Sequence, residues 1–121
     1  MAKVLIVDDS ALTRRILRRA LEPAGYEVVE AEDGLKGLEL YLLERPDLVI
    51  LDMIMPGIEG LEVLARIRKV DPQARVIIST ADIQTSTRSM AEEAGASGFI
   101  NKPVDAASLV KIVDGLLKPG S

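Results

Sequence analysis

The feature that most constrains the fold is an alternation of short apolar runs with amphipathic stretches along the chain. Each apolar run is four to six residues long, the length of a strand and too short for a buried helix. The predicted strands are Lys3–Val7, Glu27–Ala31, Leu48–Leu51, Arg75–Thr80 and Gly98–Asn101. This alternation, with its short connections, predicts an α/β domain: a five-stranded parallel sheet with helices on both faces.

Five helices are expected, one after each strand. Ser10 can cap the first, Pro23 to Gly25 ends it, and Asp33-Gly34 forms the turn before the second. The fourth, 85–94, is a weak helix of small and polar residues, and 106–117 forms the fifth. The residues predicted to face inward are Ile16, Leu17, Ala20 and Leu21 in the first helix, Leu35, Leu38 and Leu42 in the second, Leu61, Leu64, Ala65 and Ile67 in the third, and Leu109, Ile112, Val113 and Leu116 in the fifth. The basic row Arg14, Arg15, Arg18 and Arg19 is predicted to be a solvated helix face.

The composition excludes several classes of function. Histidine and cysteine are absent, which removes the usual zinc ligands, thiol chemistry and the commonest general base. The net charge is −4 and aromatic residues make up 2% of the chain, which argues against nucleic acid as a partner. No apolar run approaches the ~20 residues of a membrane span, and no signal-peptide pattern precedes the first strand. A cytoplasmic location without membrane insertion is therefore expected.

Polar side chains follow four of the predicted strands, at the point where each strand ends. Asp8 and Asp9 follow the first strand, Asp52 the third and Lys102 the fifth, while Thr80 ends the fourth. The carboxyl ends of parallel strands meet at one edge, which is where open α/β sheets bind ligands. Each residue alone has a simple structural explanation, since an Asp there can cap a helix and a Lys is commonly solvated. All five at one edge together predict a site.

Crowded carboxylates require a counter-charge. Two of them ~4 Å apart repel by about 4 kcal/mol at an effective dielectric of 20. A hard, oxygen-seeking cation such as Mg²⁺, with Mn²⁺ as a plausible substitute, suits two or three carboxylates plus water. Lys102 adds a compact positive charge.

Four motifs carry a resemblance to a known family. They are Leu-Ile-Val-Asp-Asp-Ser at 5–10, Leu-Asp-Met-Ile-Met-Pro-Gly at 51–57, Ser-Thr-Ala at 79–81 and Asn-Lys-Pro at 101–103. In this order and spacing they resemble the receiver domain of two-component response regulators, of the single-domain chemotaxis type. The resemblance covers the whole chain, 1–121, as one domain. It implies a flavodoxin-like, doubly wound (βα)5 fold with strand order 2-1-3-4-5.

The resemblance also implies a role for each residue of the site. Asp52 would accept a phosphoryl group from the phosphohistidine of a sensor kinase or phosphotransfer protein. Asp9 would ligate Mg²⁺ directly, Asp8 through a bound water, and the backbone carbonyl of Ile54 would complete the protein ligands. Lys102 would pair with the phosphoryl group.

The same resemblance implies how the signal leaves the site. Thr80 would hydrogen-bond the phosphoryl group, and Phe99 would turn inward in response, although a core aromatic is an equally simple reading of Phe99. The fourth helix, fifth strand and fifth helix would then present a changed surface to a target protein. Ile54 and Asp82 would tune dephosphorylation, and the Lys102–Pro103 peptide would be cis.

Three other readings stay open at the level of sequence. A flavin- or nucleotide-binding module would need a glycine-rich loop after the first strand, where the chain instead has Asp8-Asp9-Ser10. An Asp-based phosphatase would carry Asp at the position of Ser10. A receiver domain taken from a larger regulator, with DNA-binding or enzymatic output, would continue into a linker at 119–121.

Overall fold

The computed structural model describes residues 1–53, 60–81 and 85–117, and within 85–88 it describes the backbone alone. In these residues, strands and helices alternate along the chain. The strands are Lys3–Val7 (β1), Glu27–Ala31 (β2), Leu48–Asp52 (β3), Val76–Thr80 (β4) and Gly98–Asn101 (β5). The helices are Ala11–Leu21 (α1), Gly34–Glu44 (α2), Gly60–Val70 (α3), Thr85–Glu93 (α4) and Ala106–Leu117 (α5). The predicted bounds of these elements are confirmed to within a few residues.

The strands form one parallel sheet in the order β2-β1-β3-β4-β5. The flavodoxin-like, doubly wound α/β fold is therefore confirmed. The central strands β3 and β4 are buried along their whole length, whereas the more polar β2 lies at an edge. We call the side where the strands end the carboxyl edge, and the opposite side the amino edge.

The helices cover the sheet in two layers, and each layer encloses its own core. On one face, α1 and α5 pack Leu17, Leu21, Leu109 and Val113 against the sheet. On the other face, α2, α3 and α4 enclose a second core. Fully burying one such aliphatic side chain contributes about 1.5–3 kcal/mol, so these two layers fix the positions of the strand ends.

Helix caps determine where the chain turns away from the carboxyl edge. Ser10 Oγ accepts a hydrogen bond from the Thr13 amide at 3.2 Å, which caps α1 directly after Asp8 and Asp9. Asp33 caps α2 in the same way through the Lys36 amide, at 2.8 Å. These caps allow each helix to begin within a few residues of a strand end.

The inward face predicted for α2 is wrong. Leu35 and Leu42 are 63% and 56% exposed, while Gly37 and Tyr41 face the core and Leu38 is only partly buried. A Cβ on Gly37 would lie 2.8 Å from a Val7 methyl, so the missing side chain lets α2 approach β1 closely. The helix is therefore rotated toward its small residues, because a leucine cannot fit where Gly37 meets the sheet.

Smaller differences follow from the same packing. Ile16 is 43% exposed and Ala65 is exposed, while Val63, which was not predicted to face inward, is fully buried. The remaining inward predictions for α1, α3 and α5 are buried or partly buried. Among the described residues, none of the helices combines the length and apolar content that a bilayer crossing requires.

Candidate functional site

Three strand ends bring two buried carboxylates and one ammonium together at the carboxyl edge. Asp52 is the last residue of β3, Asp8 follows β1, and Lys102 follows β5. Asp8 is 1% exposed and Asp52 is 5% exposed. Burial of a carboxylate is costly unless a charge or hydrogen bonds compensate it, so the surroundings of these two groups decide what the site can do.

Lys102 supplies the compensating charge. Its Nζ lies 3.1 Å from Asp8 Oδ2 and 3.3 Å from Asp52 Oδ1. Burial acts to lower the pKa of the Lys102 ammonium, but the hydrogen bond and charge of Asp8, followed by those of Asp52, outweigh it, and the net shift is upward. The ammonium is therefore firmly protonated at neutral pH and bridges β1 and β3.

The acidic side chains outnumber this cation. Asp8, Asp9 and Asp52 each offer a carboxylate oxygen, and these oxygens lie within 4.8 Å of one another. Asp9 is exposed, and the other two are buried. With one ammonium among three carboxylates, the cluster keeps a formal excess of two negative charges.

The donor set fits a hard divalent cation. Oxygen ligands from two or three carboxylates, with one side open to solvent through Asp9, are what Mg²⁺ prefers. Asp8 Oδ2 has no well-directed hydrogen bond among the described residues and relies on the ion pair with Lys102. A buried oxygen with unused acceptor capacity beside two other carboxylates can bind such an ion directly or accept a hydrogen bond from a water on the ion.

The loop that carries Asp8 is held from three sides. Asp8 Oδ1 accepts the Ser10 amide at 2.8 Å, and the Asp8 amide donates to the Ala31 carbonyl at 3.1 Å. Arg14 Nη1 donates to the Asp8 carbonyl at 2.5 Å, while Arg14 Nε pairs with Glu30 at 3.1 Å. These contacts fix the Asp8 carboxylate toward the site.

The prediction that the basic row of α1 is simply solvated is wrong for two of its members. Arg14 is largely buried beneath its contacts to Asp8 and Glu30. Arg18 Nε also reaches Glu30, at 2.7 Å. The physical reason is the edge position of β2, which presents Glu30 to the neighbouring turn of α1. Arg15 and Arg19 are exposed, as predicted.

Thr80 and Phe99 lie on the face of the sheet that α2, α3 and α4 cover. Thr80 ends β4 and is 6% exposed. Side chains alternate along a strand, which puts Thr80 on the same face as Ile78, and Ile78 is the register partner of Phe99. Phe99 is partly buried against the α2–α4 core. The two side chains are therefore placed where a movement of one can change the packing of the other.

The other predicted site residues divide between described and undescribed parts of the chain. The Lys102–Pro103 peptide is cis. Ile54 and Asp82 lie outside the described residues.

Two residues at this edge were not singled out from the sequence. A Cβ on Gly60 would lie 2.4 Å from the Asp52 carbonyl oxygen, and the Gly60 amide donates to the Met53 carbonyl at 3.0 Å. No local signal distinguishes this glycine from a turn glycine. Ser79 is 1% exposed, and its Oγ has no hydrogen-bond partner among the described residues. The available signal was a hydroxyl in the otherwise apolar run that precedes Thr80.

Comparisons with known proteins agree with this geometry. The profile of the "Response regulator receiver domain" family matches residues 4–114. The chemotaxis protein CheY of Bacillus subtilis is 40% identical over 93% of this chain and 94% of its own. The sporulation initiation phosphotransferase F of the same organism is 41% identical over 85% of this chain and 83% of its own.

A solved structure gives the same result in three dimensions. The chemotaxis protein CheY4 of Vibrio cholerae superimposes with a TM-score of 0.92 at 31% identity, covering 96% of this chain and 98% of its own. The family match, the relatives of similar length and the shared fold agree with the residues at the carboxyl edge. The chain belongs to the response regulator receiver domain family.

Proposed function

We propose that this receiver domain works by accepting a phosphoryl group on Asp52 from a phosphohistidine of a sensor kinase or phosphotransfer protein. The observation that carries the proposal is the placement of Lys102 Nζ between the buried Asp8 and Asp52 carboxylates. This arrangement gathers a nucleophilic carboxylate, a cation and further oxygen ligands at one sheet edge. Phosphoryl transfer depends chiefly on such positioning and charge neutralisation.

Each residue of the site has its own role in phosphoryl transfer. Asp52 is the nucleophile, and its backbone is held at the end of a fully buried strand. Asp9 and Asp52 are the proposed direct ligands of Mg²⁺, Asp8 is proposed to act through a metal-bound water, and the Ile54 carbonyl completes the set. When bound, the divalent cation offsets the repulsion between the Asp52 carboxylate and an anionic donor. Lys102 stabilises charge on another phosphoryl oxygen.

The output follows from the added charge at Asp52. The Thr80 hydroxyl donates a hydrogen bond to a phosphoryl oxygen, and Phe99 adjusts on the same face of the sheet as Thr80. The domain thus shifts between two arrangements of the surface formed by α4, β5 and α5, and a target protein reads the difference. The domain is a signalling module that promotes its own phosphorylation and dephosphorylation, with no turnover of a separate substrate.

The relatives illustrate two settings for such a module. The B. subtilis CheY matches this chain over nearly its whole length, whereas this chain spans half of the response regulator MprA of Mycobacterium sp.. A self-contained domain is the proposal we favour, and the alternative is a receiver attached to an output domain. The cytoplasmic location expected from the sequence belongs to the same proposal. Neither flavin binding nor a phosphatase activity is needed to explain the family match.

Intact-mass measurement after incubation with acetyl phosphate, with and without Mg²⁺, tests the proposal. We expect one added phosphoryl group in Mg²⁺, little without it, and none in Asp52→Asn. Asp105→Asn is the matched control, because Asp105 caps α5 at the same edge through Ser108. Phosphorylation of Asp52→Asn at the wild-type rate would contradict the assignment of Asp52.

A second expectation concerns the lifetime of the phosphorylated state. We propose that the apolar side chain of Ile54 obstructs the water that hydrolyses phosphorylated Asp52. Asp82 is proposed as its polar counterpart in tuning dephosphorylation. Ile54→Asn is therefore expected to speed dephosphorylation, measured as the loss of the added mass after donor removal. An unchanged lifetime would count against this role.

A further inference from the structure

Ser79 presents a buried hydroxyl that the proposed mechanism does not use. The residue is 1% exposed, and its Oγ has no hydrogen-bond partner among the described residues. A buried hydroxyl without a partner is destabilising, and an apolar side chain of similar size would avoid that cost. The hydroxyl therefore calls for an explanation beyond packing.

The sheet register locates this hydroxyl beside the phosphoacceptor. Ser79 pairs with Asp52 on one side and with Ile100 on the other. Register partners in a parallel sheet direct their side chains to the same face, so Ser79 shares the face of Asp52. Ile50, Ile77 and Ile100 form the core directly beneath, on the side of α1 and α5.

The same register puts Ser79 under the path of Lys102. Lys102 leaves the end of β5, and its Nζ reaches Asp52 at the end of β3 and Asp8 after β1. In the strand order β1-β3-β4-β5, the side chain must cross β4 to do so. Ser79 is the residue of β4 on that face at the level of Asp52.

The hydrogen-bonding capacities of the two groups match. An ammonium has three N–H donors, and Lys102 directs its charge toward two carboxylates. A serine hydroxyl accepts as well as donates. When further charge enters the site, as a divalent cation or as a phosphoryl group, the ammonium must move from its position between Asp8 and Asp52. By the sheet register, Ser79 Oγ is a buried acceptor on its route.

We propose that Ser79 is a positioning residue of the phosphorylation site, whose hydroxyl accepts a hydrogen bond from the Lys102 ammonium once a cation or phosphoryl group displaces it from Asp8. The inference rests on the proposed function for its phosphoryl arm, and on the fit of the carboxylate cluster to a divalent cation for its cation arm. Ser79 thereby holds Lys102 over Asp52 while the carboxylates serve the incoming ion.

The test compares Ser79→Thr with Ser79→Val, which have the same shape and differ in the hydroxyl. The first measurement is the rate of acetyl phosphate labelling over a series of donor concentrations in saturating Mg²⁺. We expect Ser79→Thr to label within about twofold of wild type. Ser79→Val is expected to fall about tenfold in the limiting rate, the factor that one ordinary hydrogen bond represents, with the half-saturating donor concentration unchanged.

The second measurement is Mg²⁺ affinity by titration calorimetry on the unphosphorylated proteins. Ser79→Val is expected to bind Mg²⁺ more weakly than Ser79→Thr, because its Lys102 has no acceptor to which it can withdraw. The melting temperature of Ser79→Val should equal or exceed that of Ser79→Thr, which a purely structural role for the hydroxyl would reverse. Should the β-branched variants fail to fold, Ser79→Ala against wild type supplies the same two readouts.

Equal labelling rates and equal Mg²⁺ affinities in the Thr and Val variants would overturn the role of Ser79 while leaving the proposed function intact. Absence of labelling in the wild type would instead contradict the proposed function, and the calorimetric comparison would still decide the role of Ser79.

Discussion

The two edges of the sheet differ in how fully their polar and ionisable groups are paired. At the amino edge, the Tyr26 hydroxyl donates to Asp114, and the Tyr41 hydroxyl donates to Asp71 at 3.2 Å. Lys3 Nζ at the same edge lies 2.9 Å from a Glu44 carboxylate oxygen. Each of these polar groups meets a partner of opposite charge or matching hydrogen-bonding type, so this edge contributes to stability.

The carboxyl edge leaves charges and hydrogen-bonding capacity unmet. Asp8, Asp9 and Asp52 place three carboxylate oxygens within 4.8 Å of one another, and the Lys102 ammonium pairs with Asp8 and Asp52. Ser79 Oγ has no hydrogen-bond partner among the described residues. Such an arrangement is unfavourable until a ligand of positive charge arrives. The amino edge therefore stabilises the fold, whereas the carboxyl edge retains oxygen acceptors that can bind a cation.

The largest expected effect concerns the binding of a cation at the carboxyl edge. Mg²⁺ at about 100 times its dissociation constant should raise the free energy of unfolding by about 2.7 kcal/mol, because the ion binds the folded cluster and not the unfolded chain. Asp9→Asn should lose most of this increment, measured by urea unfolding with and without Mg²⁺. Asp47→Asn is the matched control, since Asp47 accepts the Lys3 amide at the amino edge, 2.7 Å away. Equal increments in both variants would abolish the distinction between the edges.

The next effect concerns the cation that the carboxyl edge already has. Lys102→Met should destabilise the metal-free protein by about 2 kcal/mol, because two buried carboxylates lose their counter-charge; the loss is smaller than for a fully buried pair since Lys102 is partly exposed. Mg²⁺ should restore part of the loss. Lys36→Met, which removes an exposed pair with Glu39, should change the free energy of unfolding by about 0.5 kcal/mol or less. A metal-free Lys102→Met protein as stable as wild type would mean that Lys102 does not balance the cluster.

The smallest expected effect concerns a hydrogen bond at the amino edge. Tyr26→Phe removes the hydrogen bond to Asp114 and should cost about 1 kcal/mol near neutral pH. Burial, together with the hydrogen bond and charge of Asp114, raises the pKa of Tyr26 to about 12. In the unfolded chain, the hydroxyl ionises near pH 10, so its contribution is fully present below pH 10 and is lost between about pH 10 and pH 12.

The variant should therefore lack this part of the alkaline loss of stability, measured as the free energy of unfolding between pH 8 and pH 12. Tyr41→Phe is the matched control at the same edge. Its hydroxyl donates to Asp71 at 3.2 Å, and burial, followed by the charge of Asp71, raises the pKa of Tyr41. A steeper alkaline dependence in Tyr26→Phe than in wild type would contradict the assignment.

The strands and the candidate site were predictable because both depend on local signals and on one topological rule. Runs such as Leu48–Leu51 are apolar throughout, since a central parallel strand is buried on both faces. Given a parallel sheet, the residues that follow its strands must meet at one edge, and this brings Asp8, Asp52 and Lys102 together without any knowledge of side-chain contacts.

What the sequence could not predict depends on partners from distant segments. The inward face of α2 is set by the contact of Gly37 with Val7, and a count of leucines points to the wrong side of that helix. The burial of Arg14 depends on Glu30 from the neighbouring strand. The position of Ser79 level with Asp52 and Ile100 requires the register of three strands, which no local pattern specifies.

The span of Lys102 has a consequence for the direction of signalling. One flexible side chain, rooted in the last strand, ends among carboxylates that belong to the first and third strands. Under the proposed function, a protein docked on β5 or α5 that shifted Lys102 would thus alter the free energy of phosphorylation at Asp52. Thermodynamic reciprocity then requires that phosphorylation change the binding free energy of that protein by the same amount.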